Sequence, residues 1–309
     1  MTSLVVIALL PIVLLIAFGK GLRHSGFLTP AFWPQAERLS FYILLPALFI
    51  HSLATARLDA LPVGKLALTL ILSILVVATV LVLLRPAFAL DGPAFTSVFQ
   101  GAIRFNNYVG VTLAAGVYGA EGIALAAICN ATIVPTVNIL SVAVFARHGQ
   151  ARLTALGVVR HIVTNPLVAG SLIGVALQAS GWGLPVGLEP ALKSLGAAAL
   201  PLGLLCVGAA LEFGGARRWI GPILTSSIVK FAVMPAVTVA AGLGLGLSGP
   251  ALTTALMFQA LPTATSSYIT ARQLGGDAPL MAGIIAVQTV LALVAIPLAL
   301  LAISSFIAI

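Results

Sequence analysis

Charge is what this sequence has least of. Only 7% of its 309 residues are charged, whereas a soluble domain carries about a quarter. Hydrophobic residues make up 61%, and the mean hydropathy is +1.18. This composition excludes a soluble globular domain and predicts an all-α polytopic membrane protein. The excess of 15 Lys and Arg over 7 Asp and Glu fits cytoplasmic loops, where basic residues are retained, and we expect no nucleic-acid partner.

Cysteine and histidine are also scarce, with two and four copies. Cys129 and Cys206 both lie in apolar runs, which indicates packing rather than a disulfide or a metal pair. Since no Cys/His cluster, phosphate-binding loop or nucleophile motif is present, the sequence predicts no metal, no cofactor and no enzyme. No charge precedes Lys20 and no small-residue cleavage site follows, so the N-terminus is predicted to be a retained spanning helix rather than a signal peptide.

Acidic residues are missing from the middle of every apolar stretch. All seven fall in predicted loops or helix ends: Glu37, Asp59, Asp91, Glu121, Glu189, Glu212 and Asp277. Antiport of sodium or protons through buried carboxylates is therefore disfavoured. The charges predicted to lie inside the membrane, Lys230 and Arg104, are positive and suit an anion.

Against this apolar background, the stretch QGAIRFNNYVG at Gln100–Gly110 stands out as polar. A second polar interruption contains Pro262. The residues before the two interruptions repeat, because GPAFT at 92–96 echoes GPALT at 249–253, and a Phe-Gln pair follows each. We expect the helices to break at Asn106-Asn107 and at Pro262-Thr263. Two broken membrane helices at matching positions of two halves indicate a secondary transporter's binding site.

Apolar stretches able to cross ~30 Å predict ten transmembrane helices. Their approximate bounds are 4–22, 36–56, 66–84, 93–118, a fifth ending at 146, then 161–179, 190–211, 219–243, 250–272, and 277 to the C-terminus. Ten Lys and Arg lie in one set of alternate loops and three in the other, which places both termini outside the cell. With five helices in each half, residues 1–150 and 151–309 form an inverted repeat.

Further matches support the repeat: Pro46 pairs with Pro201, and Gly-Ala-Glu at 119–121 pairs with Gly-Gly-Asp at 275–277. RFNNYVG, LPTATSSY followed by Gly-Gly-Asp, and the five-plus-five plan resemble the auxin efflux carrier family, whose bacterial members include malonate and malate carriers. The resemblance covers essentially the whole chain. It implies that helices 4 and 9 unwind and cross at the membrane centre, as in bile-acid/sodium symporters and sodium/proton antiporters. It also implies a homodimer through the scaffold helices.

The candidate substrate-binding residues lie at or beside the two predicted breaks. Asn106 and Asn107 either cap the freed half-helices or donate to a carboxylate. Lys230, near mid-membrane in helix 8, either attracts the anion or holds the carbonyl ends of the broken helices. The other candidates are Arg104, Tyr108, Gln259, Pro262, Thr263, Thr265 and Ser266.

Other residues are predicted to shape the fold or to couple transport to an ion. Proline lacks an N–H and breaks helices, so Pro262, Pro46 and Pro201 are structural candidates, together with Gly110 and Lys230. His51 titrates near neutral pH and is a coupling candidate. Gln288 and Asn138, which we expect to bond across to neighbouring helices, are the others.

The sequence thus predicts a secondary carrier of a small organic anion, a mono- or dicarboxylate, in a bacterial inner membrane. Helices 3–5 and 8–10 would carry the site past a scaffold of helices 1, 2, 6 and 7 by alternating access, electrogenically and without sodium. One alternative is a bile-acid-type sodium symporter that draws oxygen ligands from Thr263, Thr265, Ser266 and Gln288. Another is a membrane receptor or sensor without turnover. The predicted partners are the anion, the lipid bilayer and a second copy of the chain.

Overall fold

The computed structural model describes residues 2–56, 61–149, 165–212 and 219–304. Within these ranges every regular element is helical. Asp59 lies outside them, as does the start of the sixth predicted helix at His161. Five of the basic residues counted in the predicted loops also lie outside them: Arg57, Arg152, Arg160, Arg217 and Arg218.

Thirteen α-helices lie in the described ranges, and we number them in chain order. They are α1 Thr2–His24, α2 Phe32–Leu39, α3 Leu45–Ala54, α4 Val63–Leu83, α5 Gly92–Ile103, α6 Asn107–His148, α7 Pro166–Ser180, α8 Leu188–Ala209, α9 Ile220–Ile228, α10 Met234–Gly244, α11 Gly249–Gln259, α12 Ser266–Leu274 and α13 Ala278–Ser304. Helix α6 contains a kink at Gly119, whose φ of 58° and ψ of −133° are non-helical. The boundary predicted after residue 118 is therefore a kink at a single glycine, a residue that tolerates positive φ.

Six stretches of the described chain are long and apolar enough to cross a membrane. They are Ile7–His24, Val63–Leu83, Gly92–His148, Leu188–Ala209, Ile220–Gly244 and Ala278–Ala302. The short helices α5 and α11, of 12 and 11 residues, do not reach the roughly 20 residues that a span needs. The protein is therefore a multi-pass membrane protein, and the plan of ten spans stays a prediction.

Contacts divide the chain into two compact units. Unit 1 comprises Met1–Val63, Asn107–Ala131 and Val163–Leu211, and unit 2 comprises Gly64–Asn106, Thr132–Ile162 and Glu212–Ile309. Each unit draws on both predicted repeats. In unit 1, α1 and α8 approach at glycines, because a Cβ at Gly19 would overlap the Leu205 carbonyl and one at Gly208 the Ile16 carbonyl. Small residues that allow close approach are typical of membrane helix packing.

Two π turns interrupt otherwise regular helices at equivalent distances from a proline. Ser40–Leu44 lies between α2 and α3, and Val229–Val233 lies between α9 and α10. Pro46 and Pro235 follow these turns at the second residue of α3 and α10. A proline ring collides with the carbonyl four residues earlier, and the wider π turn relieves that collision. Pro201, by contrast, lies inside α8 and is exposed.

Candidate functional site

The first break occupies residues 104–106, between α5 and α6. Asp91 caps the start of α5 by accepting from the Ala94 N–H at 2.8 Å. At the other end Arg104 is extended, with φ −78° and ψ 162°, and its N–H donates to the Gln100 carbonyl. Asn107 is the first residue of α6. The break thus begins two residues earlier than we expected, and Asn107 belongs to the half-helix that follows it.

The second break is twice as long and separates α11 from α12 over residues 260–265. It contains Pro262, which has no N–H to donate. The Ala260 N–H closes α11 on the Leu256 and Met257 carbonyls. Near the start of α12 the Thr263 and Ser267 hydroxyls lie 3.3 Å apart, while Thr265 and Ser266 are half-buried.

The two breaks meet inside unit 2. The backbone N–H of Asn106 donates to the Pro262 carbonyl at 2.8 Å. Beside this bond the Phe105 and Phe258 rings lie with centroids 5.5 Å apart. Asn106 is only 2% exposed, and a buried backbone group that leaves a helix needs another partner. Each break therefore supplies a partner to the other.

Gln288, fully buried in α13, joins the two breaks through its side chain. Its Oε1 accepts from the Thr263 N–H at 3.0 Å, and its Nε2 donates to the Gly101 carbonyl at 3.1 Å. The same Nε2 lies 3.2 Å from Ser226 Oγ, and that hydroxyl donates to the Val98 carbonyl at 3.2 Å. Ser226 was not predicted as a site residue. Nothing in the sequence places it beside residues more than a hundred positions away.

Lys230 lies in the second π turn and is completely buried. Its Nζ has no hydrogen-bond partner in the described part of the chain. Four residues after Ser226, it lies on about the same helix face, one turn from the contact with Gln288. The π turn packs against α5 and α13. Among the side chains that the structure describes, no Asp or Glu is buried, so no carboxylate inside unit 2 compensates this ammonium group.

Two buried glutamines lie in the last turns of α5 and α11, the helices that precede the breaks. Gln100 in α5 and Gln259 in α11 are both fully buried. The Gln100 Oε1 has a long contact of 3.5 Å with Nη1 of half-buried Arg104. The Gln100 Nε2 and both polar atoms of Gln259 lack partners within the described ranges. Because buried polar groups normally pair, these amides retain capacity for a ligand. Only Gln259 was predicted as a site residue, although the repeated Phe-Gln motif contains both.

Most of the other predicted residues belong to unit 1. Asn107 is half-buried, and Tyr108 is 5% exposed with its ring against Gly203 of α8, where a Cβ would overlap it. Gly110 is buried in the first turns of α6. His51 Nε2 lies 3.8 Å from Glu189 Oε1. Asn138, in the part of α6 that belongs to unit 2, is 7% exposed.

Comparison with known proteins identifies a family. The model of the family described as "Membrane transport protein" matches residues 4–300. A "Putative malonate transporter" of Rhizobium meliloti (strain 1021) is 26% identical over an alignment of 256 residues that covers 76% of this chain and 75% of that protein. The family match includes both breaks, Lys230 and Gln288.

Proposed function

The chain belongs to the membrane transport protein family, that of the auxin efflux carriers, and we propose that this secondary transporter carries a short dicarboxylate. The proposed site is the meeting point of the two breaks in unit 2, and the proposed mechanism is alternating access. The family match confirms the resemblance that the sequence motifs indicated.

One observation carries the proposal: Lys230 is fully buried, and its Nζ has no partner among the described residues. An isolated buried charge is very unfavourable unless an opposite charge accompanies it. An anion entering beside α5 and α13 would supply that charge. The absence of buried Asp and Glu from the described side chains means that no internal carboxylate competes for Lys230.

The buried amides of α5 and α11 favour a carboxylate in particular. Gln100 Nε2 and Gln259 Nε2 are buried donors without partners in the described part of the chain, and carboxylate oxygens accept such bonds. An ammonium group together with several amide donors suits an anion with more than one acceptor group. The relative named as a malonate transporter agrees with a short dicarboxylate. Asn106, at the junction of the breaks, is proposed as a further contact.

The absence of buried Asp and Glu from the described side chains supports transport without sodium. Hard cations are held by clustered oxygen ligands, among which carboxylates are prominent. The Gln288 Oε1, which the symporter alternative would use, already accepts from the Thr263 N–H. A dicarboxylate moving without a compensating cation carries net charge, so we propose electrogenic transport. In a cell that is negative inside, the potential favours export.

The division of contacts into two units supports alternating access, which requires two bodies that each remain compact. We propose that unit 2, with most of the predicted bundle of helices 3–5 and 8–10, carries the site. Unit 1 contains predicted helices 1, 2, 6 and 7, which we propose as the scaffold and as the surface of a homodimer. An inner-membrane location with outward-facing termini is proposed from the distribution of basic residues.

The test is substrate-dependent current in proteoliposomes holding the purified full-length protein. Malonate, malate, succinate and lactate are compared with and without sodium. We expect a saturable malonate current that sodium does not change. In Lys230→Met the current should fall at least about thirtyfold, since removing one partner of a buried charge pair typically costs ~2 kcal/mol or more.

Lys193→Met is the matched control, because Lys193 is an exposed lysine on α8. It should retain the wild-type current. Strict sodium dependence would replace the proposal by the symporter alternative. Binding of malonate without current in a folded protein would favour the receptor alternative. An unchanged malonate current in Lys230→Met would remove Lys230 from the site.

A further inference from the structure

We propose that Gln288 is the positioning residue that fixes both breaks relative to each other, a role that rests on the transport function proposed above. The backbone bond from Asn106 to Pro262 joins the breaks at one point. The side chain of Gln288 adds a second connection through Thr263 and Gly101. It holds the binding groups in place without touching the anion.

A carboxamide suits this position for a chemical reason. The second break leaves an N–H free at Thr263, and the last turn of α5 leaves a carbonyl free at Gly101. One side chain must therefore accept at one end and donate at the other, and a carboxamide does both as a neutral, planar group. Only one orientation of the Gln288 amide fits. If the amide were flipped, its NH₂ group would face the Thr263 N–H and its oxygen would face the Gly101 carbonyl.

The surroundings leave the amide little freedom. Its second N–H hydrogen points to Ser226 Oγ at 3.2 Å, so both donor hydrogens and the acceptor are used. At Gly101 an added Cβ would overlap Ser226 Oγ and lie 2.7 Å from Ile284 Cγ2. Helices α5, α9 and α13 thus pack closely together at Gly101, whose carbonyl accepts from Gln288. The breaks and α13 are held as one arrangement, and Lys230 lies one turn away from it.

A positioning role predicts that transport depends on the hydrogen bonds of residue 288 and not only on its volume. A protonated glutamic acid at 288 would still accept from Thr263 and donate to Gly101, since it has one C=O and one O–H. An ionised carboxylate has no donor, and it would oppose a negative oxygen to the Gly101 carbonyl. A carboxyl group takes up its proton as the pH falls, so in Gln288→Glu lowering the pH populates the functional protonated form.

The experiment measures malonate current in proteoliposomes for wild type and Gln288→Glu at pH values from about 4.5 to 8.5, a range that starts near the ordinary pKa of a glutamic acid. The ratio of the variant's turnover to that of wild type cancels changes in malonate ionisation. We expect this ratio to fall by about tenfold per pH unit above the carboxyl pKa. KM should stay within about threefold of wild type, because positioning affects turnover more than binding.

Two controls separate positioning from bulk and charge. Gln288→Met keeps the volume without hydrogen bonds and should be slow at every pH. Gln273→Glu places the same new acid on an exposed position of α12 and should follow wild type. A ratio for Gln288→Glu that does not change with pH would overturn the proposal. Wild-type turnover in Gln288→Met would also do so.

A substrate-independent measurement distinguishes this proposal from that of the function. Hydrogen exchange at one pH should accelerate in Gln288→Met for peptides covering Thr263, whose N–H loses its acceptor. Peptides in α8, in unit 1, should be unchanged. If wild type carries none of the tested anions but this local acceleration occurs, the proposed substrate fails while Gln288 keeps its positioning role. Unchanged exchange at Thr263 would overturn the role itself.

Discussion

The two breaks differ in how they are made, although the sequences that lead into them repeat. The first spans three residues without a proline, and it ends α5 with an extended Arg104. The second spans six residues and contains Pro262. In the hydrogen bond between the two breaks, the N–H of Asn106 in the first break donates to the carbonyl of Pro262 in the second. A proline cannot donate but can accept, so the bond between the breaks is possible in this direction.

Lys230 and Gln288 both come from the second half of the chain. In the register that pairs Gly119 with Gly275, their counterparts in the first half are Ile74 and Thr132. Neither counterpart has an ammonium group or a carboxamide. The repeat therefore duplicates the place where the helix fails and the glutamine before it, whereas the ammonium group and the linking carboxamide are supplied once. The following predictions act on this difference.

The largest expected effect on stability is at the first break. Gly101→Ala would place a methyl group against Ser226 Oγ and Ile284, and overpacking of this kind typically costs ~1–3 kcal/mol. Thermal unfolding in detergent measures it. Gly221→Ala is the control, since a Cβ there meets nothing within 4 Å. Equal unfolding temperatures for the two variants would show that α5 is not closely packed at Gly101.

An intermediate effect is expected at the group linking Gln288 to α5. Ser226→Ala removes the hydroxyl that contacts Gln288 Nε2 and donates to the Val98 carbonyl. Loss of such a bond costs ~1 kcal/mol, with a partial loss of malonate current. The adjacent Ser227 bonds only to the Ile223 carbonyl in its own helix, so Ser227→Ala is the matched control. A larger destabilisation in the control would contradict the linking role of Ser226.

The smallest effect is expected at the second break. Pro262→Ala keeps the carbonyl that accepts from Asn106 and leaves the bond from Thr263 to Gln288 in place. The main change is a more flexible unfolded chain, which costs ~0.4–1 kcal/mol. Unfolding temperature and malonate current should therefore both stay close to wild type. A current as low as that of Gln288→Met would show that the proline itself makes the break.

Several features of the site could be read from the sequence. Pro262 and the polar stretch at Asn106 predict where regular helix fails, because proline removes a donor and asparagine offers a competing one. The position of Lys230 within an apolar run predicts its burial. The first break nonetheless begins before Asn106. Whether the backbone at Arg104 is helical or extended depends on which hydrogen-bond donors and acceptors lie near it in the folded protein.

Other features could not be read from the sequence. Gln288 was predicted as a coupling candidate that bonds across to neighbouring helices, but its partners were not predicted, and Ser226 was not recognised. Their roles depend on hydrogen bonds to residues 25 to 187 positions away, and no periodicity encodes such distances. The division into units also crosses both predicted repeats, because contacts follow spatial packing rather than chain order.

By itself the sequence determined that the protein is a helical, multi-pass membrane transporter. A chain with so little charge and so many apolar residues lies in the membrane, where its backbone groups must form internal hydrogen bonds. It also determined that regular helix fails near Asn106 and Pro262. Only the tertiary structure decided which freed N–H meets which freed C=O, and that Gln288 joins them. Those bonds form between distant segments, and packing alone brings the segments together.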